Sequence, residues 1–368
     1  MECADVSVLA WAGWGKNKQV LAMLAYWLLL LIPSLILFSN YGNDRKVWAM
    51  VIVFGMLIIG LRFEVGADWG AYLRYSYVAE MYSFTEALQL NDPAYMALNW
   101  LSGYLGFGII GVNLTCGLLF MIGLMAFARQ QPIPWLAVVV AVPYLLCVVV
   151  MGYSRQGVAL GFVLFALSVL RPGNEVRFIL LVLAGALFHK SAVVAFLFLF
   201  LIQERILWWH LLIALPFVGM IGYVVAVDAL EAQWHDYVTN EMSSSGALIR
   251  VIMNAVPAIV GIGYISQLKS ISHNYRLLWW MGLISLGLVP LAFTTQSTTV
   301  VDRLALYLSP IQLALWPQLV ALQKTTFIRA VWAIGVVLYS ASVLYVWMNY
   351  ADHAFAWLPY QFYPWVWY

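Results

Sequence analysis

Apolar residues along this chain run in long blocks separated by short polar gaps, a pattern of spans rather than of half-buried helices or strands. Blocks bounded by charge or turn residues at 21–39, 47–61, 109–128, 135–151, 156–170, 206–226, 248–265, 277–293, 304–322 and 330–347 predict about ten transmembrane helices. A further block, 178–202, carries His189 and Lys190 at its middle.

Lys and Arg in short connectors set the direction. Lys269, Arg276, Lys324 and Arg329 mark 266–276 and 323–329 as cytoplasmic, which puts the acidic segment 227–247 outside and Arg205 inside. Arg129, Arg171 and Arg177 mark the upstream connectors as cytoplasmic too. Both ends of 178–202 then face the cytoplasm, which predicts a re-entrant hairpin turning around His189. At about 1.5 Å per residue its first arm reaches about mid-membrane. The same rule puts Arg45 and Lys46 inside and both termini outside, with Lys16 and Lys18 against it.

Composition agrees: of 368 residues, 64% are hydrophobic and 9% charged, far from the quarter-charged surface of a soluble domain. Connectors are too short for a second domain, so residues 1–368 read as one all-α polytopic integral membrane domain. Its longest polar stretch, 62–108, is an outer-face loop with interfacial helices, and 348–368 is an outer-face tail rich in aromatics, read as an interfacial belt that leaves glycan stacking open. A net charge of +2 with no basic run gives no reason to expect nucleic acid. Cys3, Cys116 and Cys147 form no disulfide or metal pattern, and phosphate-binding glycine loops are absent, so neither a metal, a cofactor nor ATP is expected.

The chemistry-bearing residues lie at the expected outer side. Arg62, Arg74, Arg155, Arg250 and Arg303 abut apolar runs there. Any one of them suits snorkelling to headgroups; five together suggest bidentate capture of phosphate oxygens on an anionic lipid-linked substrate. GLRFEVGADWGAYLRY (60–75) joins Arg62, Asp68, Tyr72 and Arg74 to Gly60, Gly66 and Gly70 at a helix exit, or is simply a helix end with a salt-bridged loop. GYSRQG (152–157) lacks the second glycine of a nucleophile elbow, leaving Arg155 and Gln156 as donors at a helix start. ALFHKSA (186–192) places an ionisable pair in mid-membrane, at about 2.5 to 3.5 kcal/mol for the lysine alone, which calls for a wet cavity or a partner. TTQSTTVVDRLALY (294–307) brings Asp302, Arg303 and Tyr307 to the outer end of a span, or forms a solvated turn with a local ion pair.

The order of these motifs, an Arg-containing span end with GADWGAY, then SRQGVALG, LFHKSA and DRLALY, resembles the EpsG family of Wzy-type O-antigen, capsule and exopolysaccharide polymerases, over about residues 47–322. Ala67 and Trp69 depart from the family's first motif. The resemblance implies a GT-C-like glycosyltransferase of the bacterial cytoplasmic (inner) membrane, active at its outer face. A polyprenyl-diphosphate-linked oligosaccharide would be donor and acceptor, within membrane lipid and with room for a chain-length regulator as partner. It implies roles for Arg62, Asp68, Tyr72, Arg155, Gln156, His189, Ser191 and Arg303. Arg62, Arg155 and Arg303 are then assigned to the diphosphate, and Tyr72, Arg74, Gln156, Lys190, Ser191, Asp302 and Tyr307 to binding or orientation. His189 is preferred over Asp68 for the acceptor's proton, since histidine titrates near neutrality and Lys190 beside it favours the neutral ring. An O-antigen ligase shares this donor, and a membrane O-acyltransferase would also use an intramembrane histidine, although its acyl-CoA would call for functional residues on the inner face.

Overall fold

The computed structural model describes residues 16–90, 92–171, 173–202, 219, 247–272, 274–294 and 298–366. The expected span 206–226, Arg205 and the acids of 227–247 lie outside the described residues. Among those described, helices dominate. Four are long and apolar enough to cross a membrane: Gly108–Ala128, Tyr275–Phe293, Val301–Ala321 and Thr326–Tyr350. A fifth candidate, Leu248–Ile262 with Ile265–Ile271, bends by 92° at its break. The other expected spans appear as shorter apolar pieces, among them Ala22–Leu37, Pro134–Val150 and Ser154–Val169.

In chain order, α1 (Lys16–Leu37) and α2 (Arg45–Gly60) come first. Asp44 starts α2 by accepting the Lys46 N–H at 2.8 Å, which satisfies one of the orphan donors of a helix start. The polar stretch then folds as three helices, α3 (Trp69–Met81), α4 (Phe84–Ala87) and α5 (Pro93–Tyr104), where one or two interfacial helices were expected. The extra turn, α4, is held by a capping box in which the Ser83 N–H donates to Glu86 at 2.9 Å. Next are α6 (Gly108–Ala128) and α7 (Pro134–Ala141), which continues as a π-helix over Val142–Val150, followed by α8 (Ser154–Val169). α6 and α8 make the closest pairing in the bundle. Gly123 and Gly161 allow it: a Cβ on Gly123 would strike the Gly161 carbonyl oxygen, and one on Gly161 would meet the Phe120 Cα at 2.7 Å. Between helices surrounded by lipid, such backbone proximity replaces the hydrophobic effect as the source of adhesion.

The block 178–202 breaks where its polar pair sits. α9 (Glu175–Ala186) ends before His189, whose extended backbone (φ −159°) leads into a 3-10 helix, Lys190–Phe196, and α10 (Leu197–Leu201). α9 packs against the 3-10 segment as two arms of a hairpin. After it come α11 (Ala247–Ile262), α12 (Ile265–Ile271) and α13 (Tyr275–Thr294). The expected span 304–322 appears as the continuous stretch Val301–Ala321, within which the hydrogen-bond ladder breaks at Ser309 between α14 (Thr298–Leu308) and α15 (Pro310–Ala321), because Pro310 has no N–H with which to continue it. α16 (Thr326–Tyr350) follows. The α14–α15 span is 89% buried in its most apolar window and α16 only 22%, so α15 runs through the middle and α16 faces lipid.

The bundle has two polar ends. At one, Arg129 lies 4.6 Å over the Trp48 ring, Arg171 donates to Gln130 at 3.0 Å, and Arg329 caps the last carbonyls of α15. At the other, the starts of α8, α11 and α14, the hairpin tip and the loop after α2 come together.

Candidate functional site

The loop after α2 is built around Arg62, which is 1% exposed. Its Nε donates to the Val65 carbonyl at 3.3 Å and its Nη1 to the Ile59 carbonyl. Its Nη2 reaches Asn113 Oδ1 on α6 at 3.1 Å and Ser154 Oγ on α8 at 2.7 Å. One guanidinium thus ties three segments together, and its acceptors are neutral. Gly66 closes the loop at φ +109°, where a Cβ would strike the Met151 carbonyl oxygen, so neither the dihedral nor the space admits a side chain.

The aromatic tail completes this knot. Phe63 N–H donates to the Gln361 carbonyl at 2.9 Å, Tyr363 N–H to Leu61 at 2.7 Å and Gly66 N–H to Ala356 at 2.8 Å. Trp357, 1% exposed, donates from its indole to the Cys147 carbonyl at 2.7 Å, a group that the π-helical segment presents. The belt-like segment is therefore partly core: Trp357 is interior, whereas Trp365 is 79% exposed.

Beside the knot lies a charged cluster of different character. Arg155, in the first turn of α8, pairs with Asp92 at 2.6 Å and stands 4.7 Å over the Tyr75 ring. Its Nε is buried with no hydrogen-bond partner. Burial pushes the Asp92 carboxyl above the usual carboxylate range, and the adjacent Arg155 only partly opposes this. Tyr72, 3% exposed, lies within hydrogen-bonding range of Arg155 and packs on Tyr75 and Tyr95. On the other side Arg250, at the start of α11, forms an ion pair with Asp302 of α14 and lies 5.8 Å over the Tyr144 ring. Asp68 at the start of α3 lies within electrostatic range of Tyr72 and Tyr153, and Tyr153 within that of Arg250 and Asp302.

His189 stands at the hairpin tip, immediately before the 3-10 helix. The hairpin tip is anchored where Ala94 N–H donates to the Leu187 carbonyl at 3.0 Å, beside Asp92. Arg155, Arg303 and Lys190 all lie within electrostatic reach of the imidazole. Nδ1 accepts the Ser191 N–H at 3.2 Å and is 2.9 Å from Ser191 Oγ, which is 2.9 Å from Tyr307 Oη. A nitrogen that accepts a backbone N–H is unprotonated, so this geometry assigns the neutral ring its proton on Nε2. His189 then offers the cluster a donor.

Of the residues singled out in the sequence, His189, Lys190, Ser191, Asp68, Tyr72, Arg155, Asp302, Arg303 and Tyr307 are thus linked by contact or field into one cluster. Arg62 lies beneath it, turned inward. Gln156 is half-buried in the first turn of α8, and Arg74 is exposed on α3. Asp92, Asn113 and Ser154 were not foreseen, and Arg250 was grouped only with the outer arginines. The one signal for Asp92 was its place before Pro93 at a helix start; in the structure it adopts a left-handed conformation (φ 48°). No trio of His, Cys, Asp or Glu side chains positioned for a metal occurs among the described residues.

A family model for the EpsG family matches residues 45–362. No curated protein and no solved structure matches the chain. The matched range reaches past the last motif read in the sequence to Phe362, the residue that bridges to Arg62.

Proposed function

Since the chain belongs to the EpsG family, which includes Wzy-type polymerases, we propose that this multi-pass membrane protein is a glycosyltransferase that moves a polyprenyl-diphosphate-linked glycan onto a hydroxyl of another lipid-linked repeat unit. The reading rests on one observation: two arginine–carboxylate pairs, Arg155–Asp92 and Arg250–Asp302, and His189, which is linked through Ser191 to Tyr307 on the helix that carries Asp302, lie at a single end of the bundle.

In the reaction the bond from the donor's anomeric carbon to the diphosphate oxygen breaks as a new bond to the acceptor oxygen forms. Negative charge grows on the departing diphosphate. Guanidinium forks answer that charge directly, and the idle Nε–H of Arg155 is a donor already in place. His189, donating from Nε2, suits the same phosphate oxygens. The acceptor's proton then goes to a carboxylate, and Asp68 takes that role in preference to His189, whose Nδ1 is occupied by Ser191. Arg62 holds the loop that carries Asp68. Tyr72, Tyr75 and Tyr95 pack on one another as the wall that positions Arg155.

Orientation follows from the opposite end, where Arg45, Lys46, Arg129, Arg171, Lys324 and Arg329 gather as cytoplasmic connectors do. The cluster then faces the outside of the cytoplasmic membrane, where lipid-linked donors rather than nucleotide sugars are at hand. Cysteines placed at Glu86 and at Ser270 are expected to react with an impermeant thiol reagent from opposite sides; labelling from one side would undo this orientation. The purified protein given its lipid-linked repeat is expected to produce a ladder of lengthened chains. Transfer of single glycans to a different acceptor lipid, without a ladder, would make it a ligase, and no glycan transfer at all would overturn the reading.

A further inference from the structure

At the end of the bundle away from the cluster, α11, α12 and α13, with Leu315 of α15, line an apolar groove. It begins at the 92° elbow after Ile262, which turns α12 across the bundle end. From there it follows α13 from Tyr275 to Leu286. The eleven steps from Tyr275 to Leu286 span about 16 Å at about 1.5 Å per residue, which matches the depth of one leaflet, half of a hydrocarbon core of about 30 Å. The floor exists because small residues face each other. Gly282 has Ala258 and Ile311 opposite, 3.4 Å and 3.6 Å from where a Cβ would stand, and Gly261 has Leu315 at 3.5 Å. Larger side chains here would fill the space.

The mouth is cationic. Lys269, in the last turn of α12, lies 5.7 Å from the Tyr275 ring, and Arg276, in the first turn of α13, lies 5.9 Å from the same ring. The 20-residue α13 also begins here, so its positive end adds to both cations. Trp279, 36% exposed, stands one turn further in, as aromatic side chains do at headgroup depth. A leaflet-deep apolar slot beneath two cations is complementary to a molecule with one long acyl chain and a phosphate at its head.

We propose that this groove is a binding site for an anionic glycerophospholipid, with its phosphate between Lys269 and Arg276 and one acyl chain along α13. The site is separate from the glycan chemistry and holds whatever reaction the cluster performs. Helix direction keeps the two apart: Arg250 of the cluster and Ile262 of the groove lie twelve residues, or about 18 Å, apart along α11.

Native mass spectrometry of the purified full-length protein, released from detergent with phosphatidylglycerol or phosphatidylcholine of identical acyl chains, tests the site. The wild type is expected to retain one phosphatidylglycerol with a preference of about tenfold, as a charge-assisted contact gives. Lys269→Ala combined with Arg276→Ala, both near the surface, is expected to erase the preference. Leu283→Trp, at the lipid-facing edge of the groove, is expected to lower retention of both lipids, and Gly282→Phe should do the same from the floor; thermal melting identifies any variant that fails to fold. Equal retention of the two lipids by the wild type, an unchanged preference in the double variant, or undiminished retention in folded Leu283→Trp would each overturn the proposal. Displacement of phosphatidylglycerol by an equimolar polyprenyl phosphate would assign the groove to a different lipid.

Discussion

Arg62 and Arg155 are near neighbours in space, since Arg62 holds the hydroxyl of Ser154, yet their surroundings give them opposite tasks. Arg62 is sealed among neutral acceptors from three segments, so its charge is spent inside the protein as a cross-link. Arg155 is about one-fifth exposed, leans on a carboxylate and an aromatic face, and keeps a donor idle. An arginine whose three nitrogens are all engaged by backbone, amide and hydroxyl oxygens of the fold has little left to give a substrate. One held by a single carboxylate is positioned and still unsaturated. On the proposed function, the difference between a structural and a substrate-binding arginine lies in the acceptors around each, and it makes predictions that separate them.

The largest effect is expected at Arg62. Arg62→Ala leaves Asn113, Ser154 and two carbonyls without their donor, and removing one partner from a buried charged network costs about 3 to 5 kcal/mol. Folded protein should disappear from the membrane fraction, and Arg62→Lys should rescue little, because one ammonium cannot reach acceptors on both sides of a fork. Normal amounts of folded, active Arg62→Ala protein would erase the contrast.

Arg155→Ala should behave differently. Protein level is expected to stay close to wild type, while polymerisation falls by about a hundred- to thousandfold, the usual consequence of losing one preorganised donor. Arg155→Lys should stay impaired. If a shortfall in protein appears because Asp92 is left unpaired, Asp92→Asn in the same background should restore the level and leave the activity low. Chain-length ladders from equal amounts of protein check both statements.

A smaller, graded effect is expected at His189. Glutamine places an N–H near the position of Nε2 and cannot accept a proton at neutral pH, so His189→Gln should keep about a tenth of the wild-type rate if the ring acts as a donor, and His189→Ala much less. Equal loss in both would return the histidine to the role of base and remove that role from Asp68.

The smallest expected effect is on pH dependence. Asp92 is held above the ordinary carboxylate range by burial, so the folded protein binds this proton more tightly than the unfolded chain does. Its contribution to stability is therefore present at low pH and declines as the pH rises from the ordinary carboxylate value through the raised one. Melting temperatures across that window should fall more for the wild type than for Asp92→Asn. Parallel curves would show that Arg155 fully offsets the burial.

Much of this was legible along the chain because it is local. Apolar blocks locate the helices wherever lipid demands them, and the basic connectors collect at one end. The break at His189 follows from the same cause, since an ionisable pair in the middle of an apolar block is tolerated only where the backbone opens toward other polar groups. Gly66 also announced itself, being the residue that can take a positive φ against a neighbouring carbonyl. The apolar block 304–322 was legible as one span, Val301–Ala321, although Pro310 interrupts its hydrogen-bond ladder at Ser309.

What only the tertiary structure decided is which acceptor each donor meets. Asp92 and Arg155 lie 63 residues apart in sequence, and Tyr26 and Trp357, joined by a 2.6 Å hydrogen bond, lie 331 apart. Residue type at such separations carries no address. The tail shows the same limit: nine aromatics at a membrane edge have the composition of a belt, and only the Cys147 carbonyl of the π-helix and the backbone of the loop after α2, which donates from Phe63 to the Gln361 carbonyl and accepts at Leu61 from Tyr363, draw the tail inward. The sequence by itself determined that this is a helical membrane protein with arginines at one rim, because hydrophobic length and charge placement are set residue by residue. Whether a given arginine serves the fold or a substrate depended on the balance of donors and acceptors once the segments had met, a quantity that exists only in the folded chain.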